Sequence, residues 1–340
     1  KVIQFAQEYK EAFDKFYNWL YNRIAVKSCR FNLGEYMQSK IKDFINFCYN
    51  DTDSIDFQLF LITVKCLIPY EENIGCFFDV DRYRKEIELF AYYKNSDDEI
   101  IDYWLKHKRP SNNEDKLLEY KIIPIILSNT KWELLIDEVL RAVTFYTLNK
   151  NTILSAILIS SAIYEFMENS DIENIETFTK ERLINFSIKD TFAKYQISAE
   201  KNYIIDFEKE RIKLFTKPML FDDKSISKYK SLNYIFNIKT SENKSTINNY
   251  NADNNDSSSM NNNTDIIDSF SSYLYKLRKG TINPEKLKIS DKIPDIKECL
   301  KQPLFTHPLL GRCKVVKRSE NEIIIKNKSG LMRMKIWKFC

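Results

Sequence analysis

Glycine is scarce in this chain, with only Gly34, Gly75, Gly280, Gly311 and Gly330 in 340 residues. No two of them lie within four residues of each other. Phosphate-cradling loops need clustered glycines, because backbone must approach the phosphate closely and adopt positive φ. Dinucleotide fingerprints and P-loops are therefore excluded. A large turn-rich β protein is excluded on the same ground. Histidine is almost absent, at His107 and His307 only, so a zinc site or a Ser–His or Cys–His pair has little to draw on. Seven cysteines form no CxxC pair, and they sit mostly in apolar contexts such as Val64-Lys65-Cys66-Leu67. Buried free thiols in a reducing compartment are expected, and the expected location is cytoplasmic. No secretory signal is evident. The most apolar stretch, Thr152 to Ile163, is too short and too rich in Ser and Ala to span a bilayer.

Aromatic and apolar side chains are plentiful. The chain is 44% hydrophobic and carries 23 Phe and 20 Tyr, ample for a sizeable core. Helical spacing recurs from the start: Val2, Phe5, Tyr9, Phe13, Phe16, Leu20 and Ile24 share a stripe. Further helices are expected over about 35–47, from Asp51-Thr52-Asp53-Ser54 to before Pro69, from Asp79 to Tyr93, and from Ser96-Asp97-Asp98 to Lys106. Trp132–Leu148 and Thr152–Met167 read as two long core helices, the second apolar nearly all round. Shorter helices follow at 176–186 and 190–198. Within 201–238, Tyr203–Phe207 and Ile212–Phe215 fit either short strands or helix turns. Residues 241–264 contain nine Asn and almost no large apolar side chain, a composition that predicts disorder. A helix over Asp265–Arg278 ends at Gly280.

After Pro303 the period changes. Cys313–Arg318, Glu322–Lys328 and Leu331–Trp337 alternate as three strands of a small antiparallel sheet. In the last strand Met332, Met334 and Ile336 share one face, Arg333 and Lys335 the other. Net charge is +4, yet residues 311–340 alone carry +7, which leaves −3 on the rest. The expected class is mainly α, a multi-helix orthogonal bundle with a small C-terminal antiparallel β module. The expected divisions are 1–200 (helical domain), 201–304 (irregular, with the Asn-rich insert) and 305–340 (basic β module).

The densest cluster of candidate ligands is Asp51-Thr52-Asp53-Ser54-Ile55-Asp56, three carboxylates and two hydroxyls within six residues. Such oxygen-rich clusters can hold Mg²⁺ or Ca²⁺. Plain helix capping explains the same residues, because Asp and Ser satisfy free N–H groups at a helix start. Residues 54–68, beginning Ser54-Ile55-Asp56-Phe57-Gln58, resemble the second motif of ADP-ribosylglycohydrolases, in which Thr-Asp-Asp-Thr is followed by Gln and an apolar helix. Phe78-Asp79-Val80-Asp81-Arg82-Tyr83, the Pro-containing run from Lys121, and the helix pair within 138–167 resemble later parts of that family in order. The resemblance spans about residues 54–170. It implies a helical scaffold and a magnesium site with Ser54 and Asp56 as vestigial ligands, since Ile55 and Phe57 stand at two ligand positions and cannot ligate. The family's glycine-dependent first and last motifs have no counterpart. The resemblance thus implies a degenerate, non-hydrolytic member with a binding or regulatory role. No cofactor is expected unless that magnesium site survives; were the protein an enzyme, a magnesium-dependent ADP-ribosyl hydrolase is what the family implies.

Glu165 and Glu168 follow the most apolar helix and are expected at an exposed helix end. The C-terminal module resembles small SH3-like modules. Its Arg312, Lys314, Lys317, Arg318, Arg333 and Lys335 are candidate phosphate contacts, so an adaptor for nucleic acid or protein is a second reading. A solvated face, with lysines that guard against strand-to-strand association, is the alternative. A purely structural helical protein is the third reading.

Overall fold

A computed structural model of the chain describes residues 34–49, 51, 54–168, 172–242, 260–287, 293–328 and 330–335. The expected helix at 2–25, most of the Asn-rich insert and residues 336–340 lie outside them. The architecture is mainly α with a small C-terminal antiparallel sheet. Helix α1 spans 34–48 and buries Ile41, Phe44, Ile45 and Cys48. Helix α2, Ile55–Lys65, is capped by Ser54, whose hydroxyl accepts from Phe57 N. A two-stranded hairpin follows, β1 (Leu67–Pro69) against β2 (Cys76–Phe78). Helices α3 (Val80–Tyr93) and α4 (Glu99–His107) start at the expected caps, Asp79 and Asp98. Then come α5 (Leu118–Leu127), α6 (Trp132–Tyr146), α7 (Lys150–Glu168), α8 (Ile175–Asn185), α9 (Ile188–Lys194), α10 (Lys201–Phe215), α11 (Asp223–Lys228), α12 (Lys230–Glu242) and α13 (Met260–Arg278).

Helix α5 occupies the centre, packed chiefly between α2 and α7, and all ten of its residues are buried. Pro124 lies inside it and has no N–H to offer the Tyr120 carbonyl one turn back. The Tyr49 hydroxyl donates to that carbonyl instead, at 3.3 Å. Two charged residues share this enclosed helix. Lys121 Nζ lies 2.6 Å from Asp98 Oδ2 and 2.8 Å from Asp115 Oδ2, with all three side chains at most 3% exposed. Burial pulls the ammonium toward neutrality, but the two carboxylates outweigh it and its pKa ends above the usual lysine value. Glu119 reaches the other way, accepting from the N–H groups of Lys230 and Ser231 at the start of α12.

Gly75 turns the hairpin at φ 112°, where a Cβ would meet Asn129 Oδ1 at 2.4 Å. That oxygen accepts from Cys76 N, so backbone approach and cap coincide there. The small residues of α7 admit α8 closely. Ser161 and Thr179 share a hydroxyl contact at 2.7 Å, and Arg182 donates to Ser161 Oγ.

Several expectations change. Residues 201–215 form one continuous helix, which decides between the short strands and helix turns that the sequence left open. Its i,i+3 pairs Asp206–Lys209 and Glu210–Lys213 sit on the solvent side, Glu208–Arg211 lies partly buried against the end of α8, and Phe207 is buried. Residues 260–264, expected in the disordered insert, belong to the first turns of α13, because extending an existing helix costs little even for Asn. Glu165 is not exposed: it is 3% accessible and paired with Arg182, and Glu168 pairs with the buried Arg278. The tail has four strands, not three: β3 (Leu304–His307), β4 (Gly311–Arg318), β5 (Glu322–Asn327) and β6 (Gly330–Lys335), antiparallel in that order. Pro303 and the four-residue length hid β3 in the sequence.

A continuous apolar core runs from Ile41 in α1 to Leu277 in α13. A second cluster joins Leu89 of α3 to Ile296 and Leu300 of a short helix α14 (Ile296–Leu300) and to Cys313, Ile323, Ile325 and Met334 of the sheet. Among the described residues, no helix is long and apolar enough to cross a membrane.

Removing the central cation should cost far more than any surface change. Lys121→Met is expected to destabilise the protein by about 3–5 kcal/mol, because Asp98 and Asp115 are left buried together without a counter-charge. Urea denaturation measures this; a loss below about 1 kcal/mol would show that the carboxylates do not depend on Lys121.

Candidate functional site

The alternation read from residues 331–335 places side chains as expected in β6: Met334 is buried, Arg333 and Lys335 are exposed. Register extends that pattern across the sheet. Leu304, Lys314, Lys326 and Leu331 form one row running straight across all four strands. Thr306–Arg312 lies along the same outer face, as do Lys317–Ile324–Arg333 and Glu322–Lys335. Arg312, Lys314, Lys317, Lys326, Arg333 and Lys335 are all exposed, and none forms an ion pair with a carboxylate among the described residues. Leu304 (56% accessible), Val316 (54%) and Leu331 (69%) stand among them.

Two features separate this face from an ordinary solvated one. Lys314 and Lys326 are direct cross-strand neighbours, a like-charge arrangement that destabilises a sheet. Moreover, lysines that block edge-to-edge association belong on edge strands. Here Arg312, Lys314, Lys317 and Lys326 stand on β4 and β5, the two inner strands.

Arg318 departs from expectation. A bulge at Val315–Lys317 adds one residue, so Arg318 pairs with Ile323 in the inner-face row. Its guanidinium donates to the carbonyls of Leu300 and Gln302 at the end of α14, where a cation complements the helix dipole. It is a fastener of the module, not part of the outer face. Lys326, which the sequence reading passed over, takes its place; strand alternation with Lys314 opposite was the available signal.

The opposite face holds the sheet to α3, with His307 2% accessible at that junction. Its Nδ1 accepts from Leu309 N and its Nε2 donates to the Pro294 carbonyl, both at 3.2 Å, which assigns the neutral Nε2–H tautomer. Burial pushes the imidazole below its usual pKa, the Pro294 bond opposes this, and Lys65 adds to the lowering. At the sheet's margin Asp97 is held below the usual carboxylate range by its hydrogen bond to Lys94, with a smaller contribution from Lys335.

The acidic candidates sit elsewhere. Ser54 is the N-cap of α2, and its hydroxyl also donates to the Asp51 carbonyl at 2.7 Å. Asp56 Oδ2 lies 3.7 Å from Lys230 Nζ, and the Tyr120 hydroxyl hydrogen-bonds its side chain. A divalent cation at Asp56 would have to compete with that ammonium. Among the described residues, no group of three or more His, Cys, Asp or Glu side chains is placed to hold a metal ion.

No family model matches the chain, and no curated protein or solved structure is similar to it. Nothing in these comparisons bears on the resemblance expected between residues 54–170 and ADP-ribosylglycohydrolases.

Because His307 is buried neutral, the unfolded chain binds a proton there that the folded chain refuses as pH falls below the ordinary value of 6.5. Its stabilising contribution is therefore complete above that value and is lost as pH drops toward the lowered folded pKa. Between about pH 7 and 5 the urea midpoint should fall, and His307→Gln should flatten that dependence. An unchanged slope in the variant would show that other groups govern the acid limb.

Proposed function

We propose that the protein is a non-catalytic adaptor, a helical scaffold that holds nucleic acid against the outer face of its C-terminal sheet. The observation that carries this reading is the row Leu304–Lys314–Lys326–Leu331 with its flanking arginines. Six cations that form no ion pair among the described residues converge on one face; four of them stand on the inner strands β4 and β5, where protection of edges does not require them and where the Lys314–Lys326 pairing carries a stability cost. Phosphates are the partner chemistry that fits, since a polyanion supplies regularly spaced counter-charges and releases its own condensed ions on binding. Lysine is depleted in protein–protein interfaces and prevalent in phosphate contacts, which favours nucleic acid over an acidic protein. In this reading the glycohydrolase-like helices of 54–170 serve as scaffold. The helix α3 that anchors the sheet lies among them.

Fluorescence anisotropy with a labelled oligonucleotide tests the proposal. Log K should fall with log salt with a slope of about −3 to −5, as expected for four to six phosphate contacts. Lys314→Glu with Lys326→Glu should weaken binding at least about tenfold and reduce the slope by about 2, while circular dichroism stays unchanged. Salt-insensitive binding, or binding that survives the double charge reversal, would overturn it.

The scaffold role of Asp56 has its own check. Magnesium and ADP-ribose together are expected to leave the melting temperature unchanged. A rise that Asp56→Ala removes would restore the metal-site reading.

A further inference from the structure

A second, independent feature lies in the helical body. Arg141 and Phe145 on α6, Lys194, Tyr195 and Ile197 at the end of α9, and Val80 at the start of α3 line an open depression of about 450 Å³. Its size and its mostly apolar wall with a few polar groups are those of a small-molecule site. The lining contains two cations and no carboxylate. The nearby acids, Asp137 and Glu138, are already engaged. Asp137 accepts from the Tyr195 hydroxyl at 2.6 Å and from Lys194 Nζ at 2.7 Å. Glu138 accepts from the Tyr70 hydroxyl and from Phe78 N, both at 2.8 Å.

Arg141 is left short of partners. Its hydrogen bond to Asp137 is long, at 3.4 Å, and its Nε lies 3.6 Å from Glu138 Oε2, beyond hydrogen-bonding range. That Nε is shielded from solvent and has no hydrogen-bond acceptor. A guanidinium offers five donors in a fixed fork, and a planar or tetrahedral oxyanion is the acceptor that matches it. The side chain as a whole is 38% accessible, so a ligand can reach it. Phe145 is fixed by ring contacts with Tyr83 and Trp104, which makes the apolar wall rigid.

We propose that this depression binds a small organic anion, a carboxylate or phosphate ester on a compact apolar body. The oxyanion sits on the Arg141 guanidinium, with Lys194, which also pairs with Asp137, as second cation, and the apolar body lies against Phe145 and Ile197. The site is separate from the basic sheet and does not depend on nucleic-acid binding there.

Fluorine NMR on the full chain tests it with 4-fluorobenzoate, 4-fluorophenyl phosphate and the cationic control 4-fluorobenzamidine. At least one anion should show line broadening on binding and the cation none. Arg141→Gln and Lys194→Gln should each weaken anion binding about tenfold, the scale of one charge-assisted hydrogen bond. Lys194 is 58% accessible, so its substitution leaves the fold intact and keeps the test decisive if Arg141→Gln misfolds. The Lys314→Glu, Lys326→Glu double variant should broaden the same anion or anions as the parent does. Equal broadening by benzamidine, anion broadening that survives Lys194→Gln or disappears in the sheet variant, or no broadening by either anion would overturn the proposal.

Discussion

The structure depends on one conflict and its resolution: a helix enclosed on every side that nevertheless carries a cation and an anion. Leu118–Leu127 has no solvent face, so Glu119 and Lys121 cannot be hydrated and must find partners inside. Lys121 finds Asp98 and Asp115, which are also the residues that begin the next turns of chain. Asp98 caps α4 through Ile100 N and Ile101 N, and Asp115 accepts from Leu117 N just before α5. The same two carboxylates neutralise the cation and fix the entry of two helices. Glu119 does the corresponding work for α12, a segment far along the chain. Burying α5 therefore dictates where α4 and α12 begin.

Buried carboxylates of this kind recur as long-range caps. Glu138, raised in pKa by burial, holds both Phe78 N in β2 and the Tyr70 hydroxyl beyond β1. Glu176 on α8, only partly buried, acts alike, accepting from Leu220 N ahead of α11. Each charge is costly to bury alone and modest in net effect once satisfied, but removing either partner leaves an uncompensated group. The consequence is specificity of arrangement: helices of similar apolar character are told apart by which free N–H groups meet which carboxylate. The C-terminal sheet follows a simpler rule. It buries Cys313, Ile325 and Met334 against α3 and α14, and this leaves its other face to solvent with the cations on it.

How much of this was legible can be argued residue by residue. Ser54, Asp79 and Asp98 were readable as caps because an N-cap acts on groups two or three residues away. The alternation of Met332, Arg333, Met334 and Lys335 was readable because strand period is local. Tyr203–Phe207 was ambiguous, since aromatic and β-branched residues suit strands by propensity, and only packing of Phe207 against the body settles the helix. Arg318 was misplaced because a bulge is invisible in composition: one inserted residue moves every later side chain to the other face. The lone Lys121 in an apolar run was a signal of a buried ion cluster, but neither Asp98 nor Asp115 could be singled out as its partner.

By itself, then, the sequence determined the helical class, most helix starts, the absence of phosphate-cradling loops and the basic character of the tail. These follow from short-range forces: hydrogen bonds four residues apart, side chains that alternate or recur every turn, and the shortage of residues that tolerate positive φ. Tertiary structure decided which charges face one another. The triad at Lys121, the like-charged Lys314–Lys326 row and the weakly bonded Arg141 fork beside Lys194 all join segments whose proximity is set by loop closure and core packing. No local pattern encodes that proximity, because it exists only once the apolar faces of α2, α5 and α7 have been driven together.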